Sequence, residues 1–307
     1  MQKLFTITGN LLAETTAEFP PTKDGETVRC INKCSFQVGG KGVNVAKAFH
    51  KLSKEKPHAI IFPARFNGKR CVAELNACNF CNVQAFEIDG ETRTGLVCIN
   101  SNTKIQTTFL GEDIKIPETA FNKALKKIEK LSNEGDFVAI CGSFIGWKSN
   151  YAKQISNLCK RKKLRLCIDT YGKPLKDFAK QQTFLLKINK KEFLETFNQQ
   201  TLSLSTFKNC VLKIPAKNFI VSNSKGPTFA NFQGEFIKIN PPKIKKEVSA
   251  TGCGDTMFAS LIFEMSKNTS NKNALKNSIA RASASAEILA TSDWNENRAK
   301  QLSKEIS

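Results

Sequence analysis

Val248-Ser-Ala-Thr-Gly-Cys-Gly-Asp-Thr-Met-Phe-Ala-Ser-Leu261 decides how this chain of 307 residues is read. Gly252 and Gly254 flank one small residue, Cys253, and Asp255 follows at once. The pattern then turns apolar and helical through Met257, Phe258, Leu261 and Ile262. A turn that empties into a helix leaves backbone N–H groups without intrahelical acceptors, and the helix dipole adds partial positive charge. Such an end attracts anions, phosphate above all. Glycine lets the backbone come close to a phosphate because no Cβ intervenes. Asp255 is at odds with an anion site unless it is a general base. It would then take a proton from a substrate hydroxyl while the amides hold the transferring phosphoryl group. The plain alternative is an aspartate in a first helical turn, there to satisfy the dipole.

A second glycine turn lies near the start of the chain. Val38-Gly-Gly-Lys-Gly-Val-Asn-Val-Ala-Lys-Ala-Phe-His-Lys-Leu52 runs from Gly39 and Gly40 into an amphipathic helix, with Val43, Ala46, Phe49 and Leu52 at helical spacing. It is not a Walker A loop, which needs a second glycine followed by Lys and Ser or Thr at fixed spacing. The two stretches together, roughly 200 residues apart and in this order, resemble the two signature regions of the ribokinase-like (PfkB) carbohydrate kinase family. The resemblance spans residues 4 to 290. It implies a three-layer α/β/α fold with a mostly parallel central sheet, a single kinase domain over residues 1–307, and a small β-sheet lid. The lid strands would come from about 12–38 and 91–112.

Further segments extend the resemblance. Asn10-Leu-Leu-Ala-Glu14 is similar to a strand-end motif in which Asn-Pro precedes a sugar-binding Asp. Here Leu11 replaces the Pro and Glu14 stands in the place of the Asp, one methylene further from the backbone; a solvent-exposed loop acid is the other reading. Gly90-Glu-Thr-Arg93 resembles members whose acceptor already carries a phosphate, of the 1-phosphofructokinase and tagatose-6-phosphate kinase type. Arg93 would grip that phosphate as a planar bidentate donor, and Lys41 would touch it too; a surface strand arginine is the alternative. Gly142-Ser143 ends an apolar strand, and Ser143 would lie near the acceptor. Gly39, Gly40 and Asn44 would hold the sugar.

Asn189-Lys-Lys-Glu192 matches the family's Asn-x-x-Glu motif. The resemblance implies that Asn189 and Glu192 organise Mg²⁺, partly through water, which suits an ion that prefers oxygen ligands and keeps several waters. A capping box is the competing reading, and both can hold. Lys187 faces the same way as Asn189 on a strand and could reach a phosphate. Ser222 and Gly226 match the family's ATP loop, although Asn223-Ser224 makes that loop shorter. With Gly252, Cys253 and Gly254 at the phosphoryl group, the implied cofactors are ATP and Mg²⁺. Drift at Glu14 and at the loop leaves two alternatives. One is a kinase for an uncharged sugar or a nucleoside; the other is a member that binds sugar phosphate or nucleotide without turnover.

Composition sets the outer limits. Net charge is +20, from 47 basic and 27 acidic residues. The lysines are dispersed on helix faces and not interleaved with aromatics, so the reading is a solvated basic surface that attracts anionic substrates, with no nucleic-acid partner. No apolar run is long enough to span a bilayer and no signal peptide is evident, which points to a cytoplasmic protein without a membrane role. Eleven cysteines are scattered, most in apolar runs, as buried free thiols. Cys78-x-x-Cys81 and the Cys30, Cys34 pair suggest zinc, but no second Cys-x-x-Cys or nearby His completes a site. Short strands are expected at Thr27–Ile31 and Cys34–Val38, and a small-residue helix at Ala274–Ala290. Open strand edges on the lid could pair two copies of the chain.

Overall fold

A computed structural model describes residues 2–306. In chain order the first elements are β1 (Leu4–Thr8), β2 (Leu12–Phe19), β3 (Ser35–Gly39), α1 (Lys41–Ser53), β4 (His58–Ile61), α2 (Arg65–Cys78) and β5 (Asn82–Ala85). Then come β6 (Arg93–Asn100), β7 (Gln106–Leu110), α3 (Glu118–Leu131), β8 (Phe137–Cys141), α4 (Asn150–Arg161), β9 (Arg165–Asp169) and α5 (Gly172–Phe178). The chain continues through β10 (Thr183–Asn189), α6 (Lys190–Thr196), α7 (Leu204–Val211), β11 (Ala216–Asn223), β12 (Gly226–Phe232) and β13 (Glu235–Ile239). It ends in α8 (Cys253–Ser266), α9 (Asn271–Ser285) and α10 (Glu296–Glu305).

Period-2 alternation within apolar runs builds the layers. Phe137, Ala139 and Cys141 of β8 pack on one side with Phe49, Phe258, Ile262 and Leu275 from α1, α8 and α9. Val138 and Ile140, between them, pack on the other side with Phe121, Ile128, Tyr151 and Ile155 from α3 and α4. A strand buried on both faces carries apolar residues at every position, the pattern of a parallel sheet sandwiched by helices. The resulting sheet has nine strands in the order β13-β12-β11-β10-β9-β8-β1-β4-β5. All neighbours are parallel except β11–β12 and β12–β13. This is the three-layer α/β/α architecture expected from the sequence. No helix among the described residues is long and apolar enough to cross a membrane.

A second sheet, β3-β2-β6-β7, stands apart from the first. β2 pairs with β3 antiparallel and with β6 parallel, and β6 returns through a hairpin to β7. Two expectations need correction. Residues 27–31 form no strand; they are largely exposed, with no second surface to bury a strand face, and only the Ile31 amide pairs, with the Glu18 carbonyl. The helix expected through Ala290 stops at Ser285, because the Ala286 carbonyl accepts from the Val248 and Ser249 amides instead of continuing the helical ladder.

Candidate active site

Register brings the site together. Thr8, Cys141 and Asp169 are paired neighbours at the carboxyl ends of β1, β8 and β9, where ligands of open parallel sheets collect. Just beyond these ends lie Asn10, Gly142 with Ser143, and Asn189 at the end of β10. α1 and α8 start above them, each from a glycine with positive φ: Gly40 at 116° and Gly252 at 79°.

The start of α8 has no side-chain cap. A Cβ on Gly254 would come within 3.1 Å of Lys187 Nζ, and one on Gly252 within 2.7 Å of the Ser292 backbone nitrogen. Gly254 thus leaves room between the helix start and the lysine head, and Gly252 lets the turn pass close to Ser292. That cradle, a helix start without a side-chain cap facing a lysine, fits the phosphates of ATP.

Charge is concentrated around one carboxylate. Asp169 accepts from Lys41 Nζ at 2.9 Å on one oxygen and from Lys187 Nζ at 2.8 Å on the other. Burial works against its ionised form, but the two lysines hold its carboxyl below the ordinary value. Lys41 is likewise opposed by burial, yet Asp169, Asp255 and Glu192 keep it firmly charged, above the usual lysine range. Asp255 behaves differently. Burial pushes its pKa up to about 6, with Lys41 pulling down and the Asp169 charge pushing up. Asn44 Nδ2 donates to Asp255 Oδ2 at 2.8 Å. Burial also raises the Cys253 thiol to about 11, so it stays protonated.

A cleft of about 260 Å³ opens beside this cluster. Its walls include Asn10, Glu14, Gly39, Gly40, Lys41, Asn44, Arg93, Gly142 and Ser143. Every strand of the second sheet contributes a wall residue: Leu12 and Glu14, Gln37 and Gly39, Arg93, and Leu110. Glu14 is no loop acid. It sits in β2, 8% exposed, hydrogen-bonded by the Gln37 amide across the β2–β3 pair. Arg93 Nη1 and Asn10 Nδ2 both donate to Asp113 Oδ1, at 3.0 and 2.8 Å, and Asn10 Nδ2 also reaches Ser143 Oγ at 3.3 Å. Arg93 Nε and Asn10 Oδ1 are buried without a partner among the described residues. Two orphaned polar atoms in one cleft suit an oxygen-rich ligand.

A separate groove is walled by Asn189, Ser222, Asn223 and Ser224, with Lys190 and Lys191. Gly226 lies at the turn below it, facing Asn223 across the β11–β12 pair. Asn189 and Glu192 form a complete capping box at the start of α6. Glu192 Oε1 remains free of that box and lies 3.7 Å from Lys41 Nζ. The oxygen-only donors Glu192 and Asn189 fit Mg²⁺, which takes one carboxylate plus waters and phosphate oxygens. No group of three His, Cys, Asp or Glu that could hold a metal by itself occurs among the described residues.

The structure thus brings Asp255, Gly252, Gly254, Lys41, Asn44 and Lys187 together, with Glu14, Arg93 and Ser143 in the adjoining cleft. Asp113 was not singled out from the sequence, and Asp169 only as one of the polar residues 169–172 at the carboxyl end of a strand, without a role. Asp169 ends an apolar strand before Thr-Tyr-Gly, which is a usable signal; Asp113 lies in a loop and offers none.

The sequence profile of the pfkB family of carbohydrate kinases matches residues 10–294. A 1-phosphofructokinase of Bacillus subtilis is 27% identical, over 85% of this chain and 86% of that protein. A tagatose-6-phosphate kinase of Staphylococcus epidermidis is 23% identical, over 92% and 91%. In fold, phosphofructokinase-2 from Escherichia coli superposes with a TM-score of 0.89 over 99% of both chains, at 21% identity.

Proposed function

The chain belongs to the pfkB family of carbohydrate kinases, and from that premise we propose that it transfers the terminal phosphoryl group of ATP to a hydroxyl of a sugar phosphate. One observation carries the reading. Lys41 lines the acceptor cleft, and its ammonium lies 3.7 Å from Glu192, whose capping partner Asn189 lines the other groove. A phosphoryl group passing between the two must pass this lysine and the uncapped start of α8.

Each residue then has a task. The cleft residues Glu14, Gly39, Gly40 and Asn44 orient the sugar, and Arg93 with Ser143 receives its phosphate. Asp255 takes the proton of the attacking hydroxyl as the O–P bond forms, and ADP leaves. The amides of Gly252, Cys253, Gly254 and Asp255, with Lys41 and Lys187, stabilise charge on the phosphoryl oxygens. Asn189, Ser222 and Gly226 flank the nucleotide. Glu192 and Asn189 would hold Mg²⁺, which neutralises phosphate charge when bound. The second sheet covers the cleft as a lid and keeps water from the donor. Exposed Phe109 and Leu110 on the edge strand β7 support pairing of two copies through the lid, which light scattering tests.

Asp113 favours a second reading, because its carboxylate already neutralises Arg93 and leaves less positive charge for a phosphorylated acceptor. An ADP-release assay separates the two. The panel is fructose 1-phosphate, tagatose 6-phosphate, fructose 6-phosphate, ribose, fructose and adenosine, each with MgATP. Turnover on a phosphorylated ketose is the expected result. Turnover confined to uncharged acceptors establishes the second reading, and silence on all six with retained nucleotide binding removes the kinase assignment.

A further inference from the structure

Two cysteines meet at the start of β3, at the end of the second sheet opposite its Leu12–Gly39 junction with the main body, and nothing in the phosphoryl-transfer reading uses them. Cys34 Sγ donates to Cys30 Sγ at 3.6 Å, and both residues are exposed. Their place in the sheet is specific. The β2–β3 ladder pairs Thr16 with Ser35, and two residues along β2 the Glu18 carbonyl accepts from the Ile31 amide at 2.8 Å. Between these fixed points β2 spends one residue, Ala17, while the other strand spends three, Asn32, Lys33 and Cys34. The extra length loops out, and Cys30 and Cys34 bracket it. Asn32 is tied back to Glu18 at 3.1 Å, and Lys104 pairs with the same carboxylate. The loop-out is therefore anchored on both sides while its thiols face each other and the solvent.

From this geometry we propose that Cys30 and Cys34 are a dithiol modification site that exchanges with small soluble disulfides of the glutathione class and, once closed, clamps the start of β3. A disulfide needs its sulfurs about 2 Å apart, so the thiols must close by roughly 1.5 Å, which rotation of two exposed side chains can supply. The hydrogen bond assigns the roles. Cys34 donates its S–H to Cys30 Sγ and is pushed above its usual range by that bond, so Cys34 keeps its proton and serves as the resolving thiol.

The Cys30 thiolate attacks one sulfur of the small disulfide. That S–S bond breaks, one small thiolate leaves, and a mixed disulfide forms on Cys30. Cys34 then gives its proton to solvent and attacks the Cys30 sulfur, releasing the second small thiolate. The protein gives up two electrons and two protons, and one disulfide becomes two thiols. Cys78 is the internal control: it is exposed but bonds to Glu74 at 3.4 Å and not to a thiol. β3 carries Gln37 and Gly39 to the acceptor cleft, so the clamp acts on a strand that serves the site without touching the chemistry.

The test uses the full chain equilibrated in buffers of reduced and oxidised glutathione, then trapped by acid and alkylated. Peptide mapping should find an internal Cys30–Cys34 disulfide in the wild type. In Cys34→Ser the glutathione should stay on Cys30, for want of a resolving thiol. Hydrogen exchange at Ser35–Gly39 should slow in the oxidised wild type and stay unchanged in the doubly substituted C30S/C34S chain given the same treatment. The proposal is overturned if both thiols remain free to alkylation, if glutathione accumulates on each without an internal bond, or if the bond forms and exchange in β3 does not slow.

Discussion

Asn44 donates a 2.8 Å hydrogen bond to Asp255, joining the first turn of α1 to the first turn of α8 across 211 positions of sequence. The bond matters because Asp255 is otherwise deeply buried, 5% exposed, and receives no other side-chain hydrogen bond among the described residues. One carboxylate oxygen is thus held in place. The other carries no side-chain hydrogen bond among the described residues, which is where the proposed general base would meet an acceptor hydroxyl.

Asp255→Asn tests that role and a linked stability effect. The amide keeps the shape but cannot take a proton, so turnover should fall by about 100-fold or more. Stability should move the other way. The folded pKa is raised to about 6, so the fold favours the neutral acid, and that contribution is lost as pH rises through 6. At pH 7 the charged form therefore costs stability, and the neutral Asn variant should gain on the order of 3 kcal/mol. Steady-state kinetics and denaturant unfolding at pH 7 check both signs. Near-normal turnover, or a less stable variant, contradicts the assignment.

The pH profile should carry a matching acidic limb. A base with pKa near 6 is protonated and idle below that pH, so kcat/KM should fall as pH drops through about 6 and level off above it. Neighbours should move the limb in known directions. The Asn44 bond lowers the Asp255 pKa and the Asp169 charge raises it. Asn44→Leu should therefore shift the limb to higher pH and Asp169→Asn to lower pH. Shifts of the opposite sign would mean that another group controls the profile.

What the sequence could and could not show follows from range. Phe137–Cys141 is apolar at every position, which alone places it in a sheet covered on both faces. Gly252 and Gly254 before an apolar helical pattern mark a glycine turn into a helix without any knowledge of the rest, but leave a plain first-turn aspartate as open as an anion site. Asp169 is different. It is one of 27 acids, and only the register Thr8–Cys141–Asp169 sets it beneath Lys41 from a distant helix. The premature end of α9 has the same origin, since the Ala286 carbonyl is claimed by Val248 and Ser249. Thr27–Ile31 failed for the opposite reason. Its β-branched residues suit a strand, but nothing in the fold covers it.

Removing Asp169 should unfold the site's centre. Its carboxylate is 1% exposed and the Lys187 side chain 4%, so Asp169→Ala leaves a buried lysine without the carboxylate it is paired with. Breaking a buried pair in this way costs about 3–5 kcal/mol. Asp169→Ala paired with Lys187→Met removes both charges together and should recover much of the loss, because the remaining Lys41 is one-third exposed and reaches water. Urea unfolding of the single and double variants measures the difference. Equal losses in the two would show that the damage is cavity formation and not the stranded charge.

Gly42 offers the sharpest test of how α1 is seated. A Cβ there would lie 2.3 Å from Thr8 Oγ1 and 3.0 Å from the Thr8 backbone nitrogen, with no flexible side-chain end to give way at the strand. Gly42→Ala must lift the first turn of α1 off β1. That turn carries both Lys41 and Asn44, so one methyl should displace the charge partner of Asp169 and the hydrogen-bond donor to Asp255 together. Misplacement by about 1 Å can cost on the order of 100-fold in rate, and overpacking about 1–3 kcal/mol in stability. Gly25→Ala is the control. Its φ is also positive, at 85°, but a Cβ there meets nothing within 4 Å, so only backbone strain is added, far from the cleft. Gly25→Ala should lose a little stability and keep its kcat. Gly42→Ala should lose kcat well beyond what its stability explains at a temperature where both variants are folded. If Gly42→Ala turns over like Gly25→Ala, the close seating of α1 on β1 is not what positions Lys41 and Asn44.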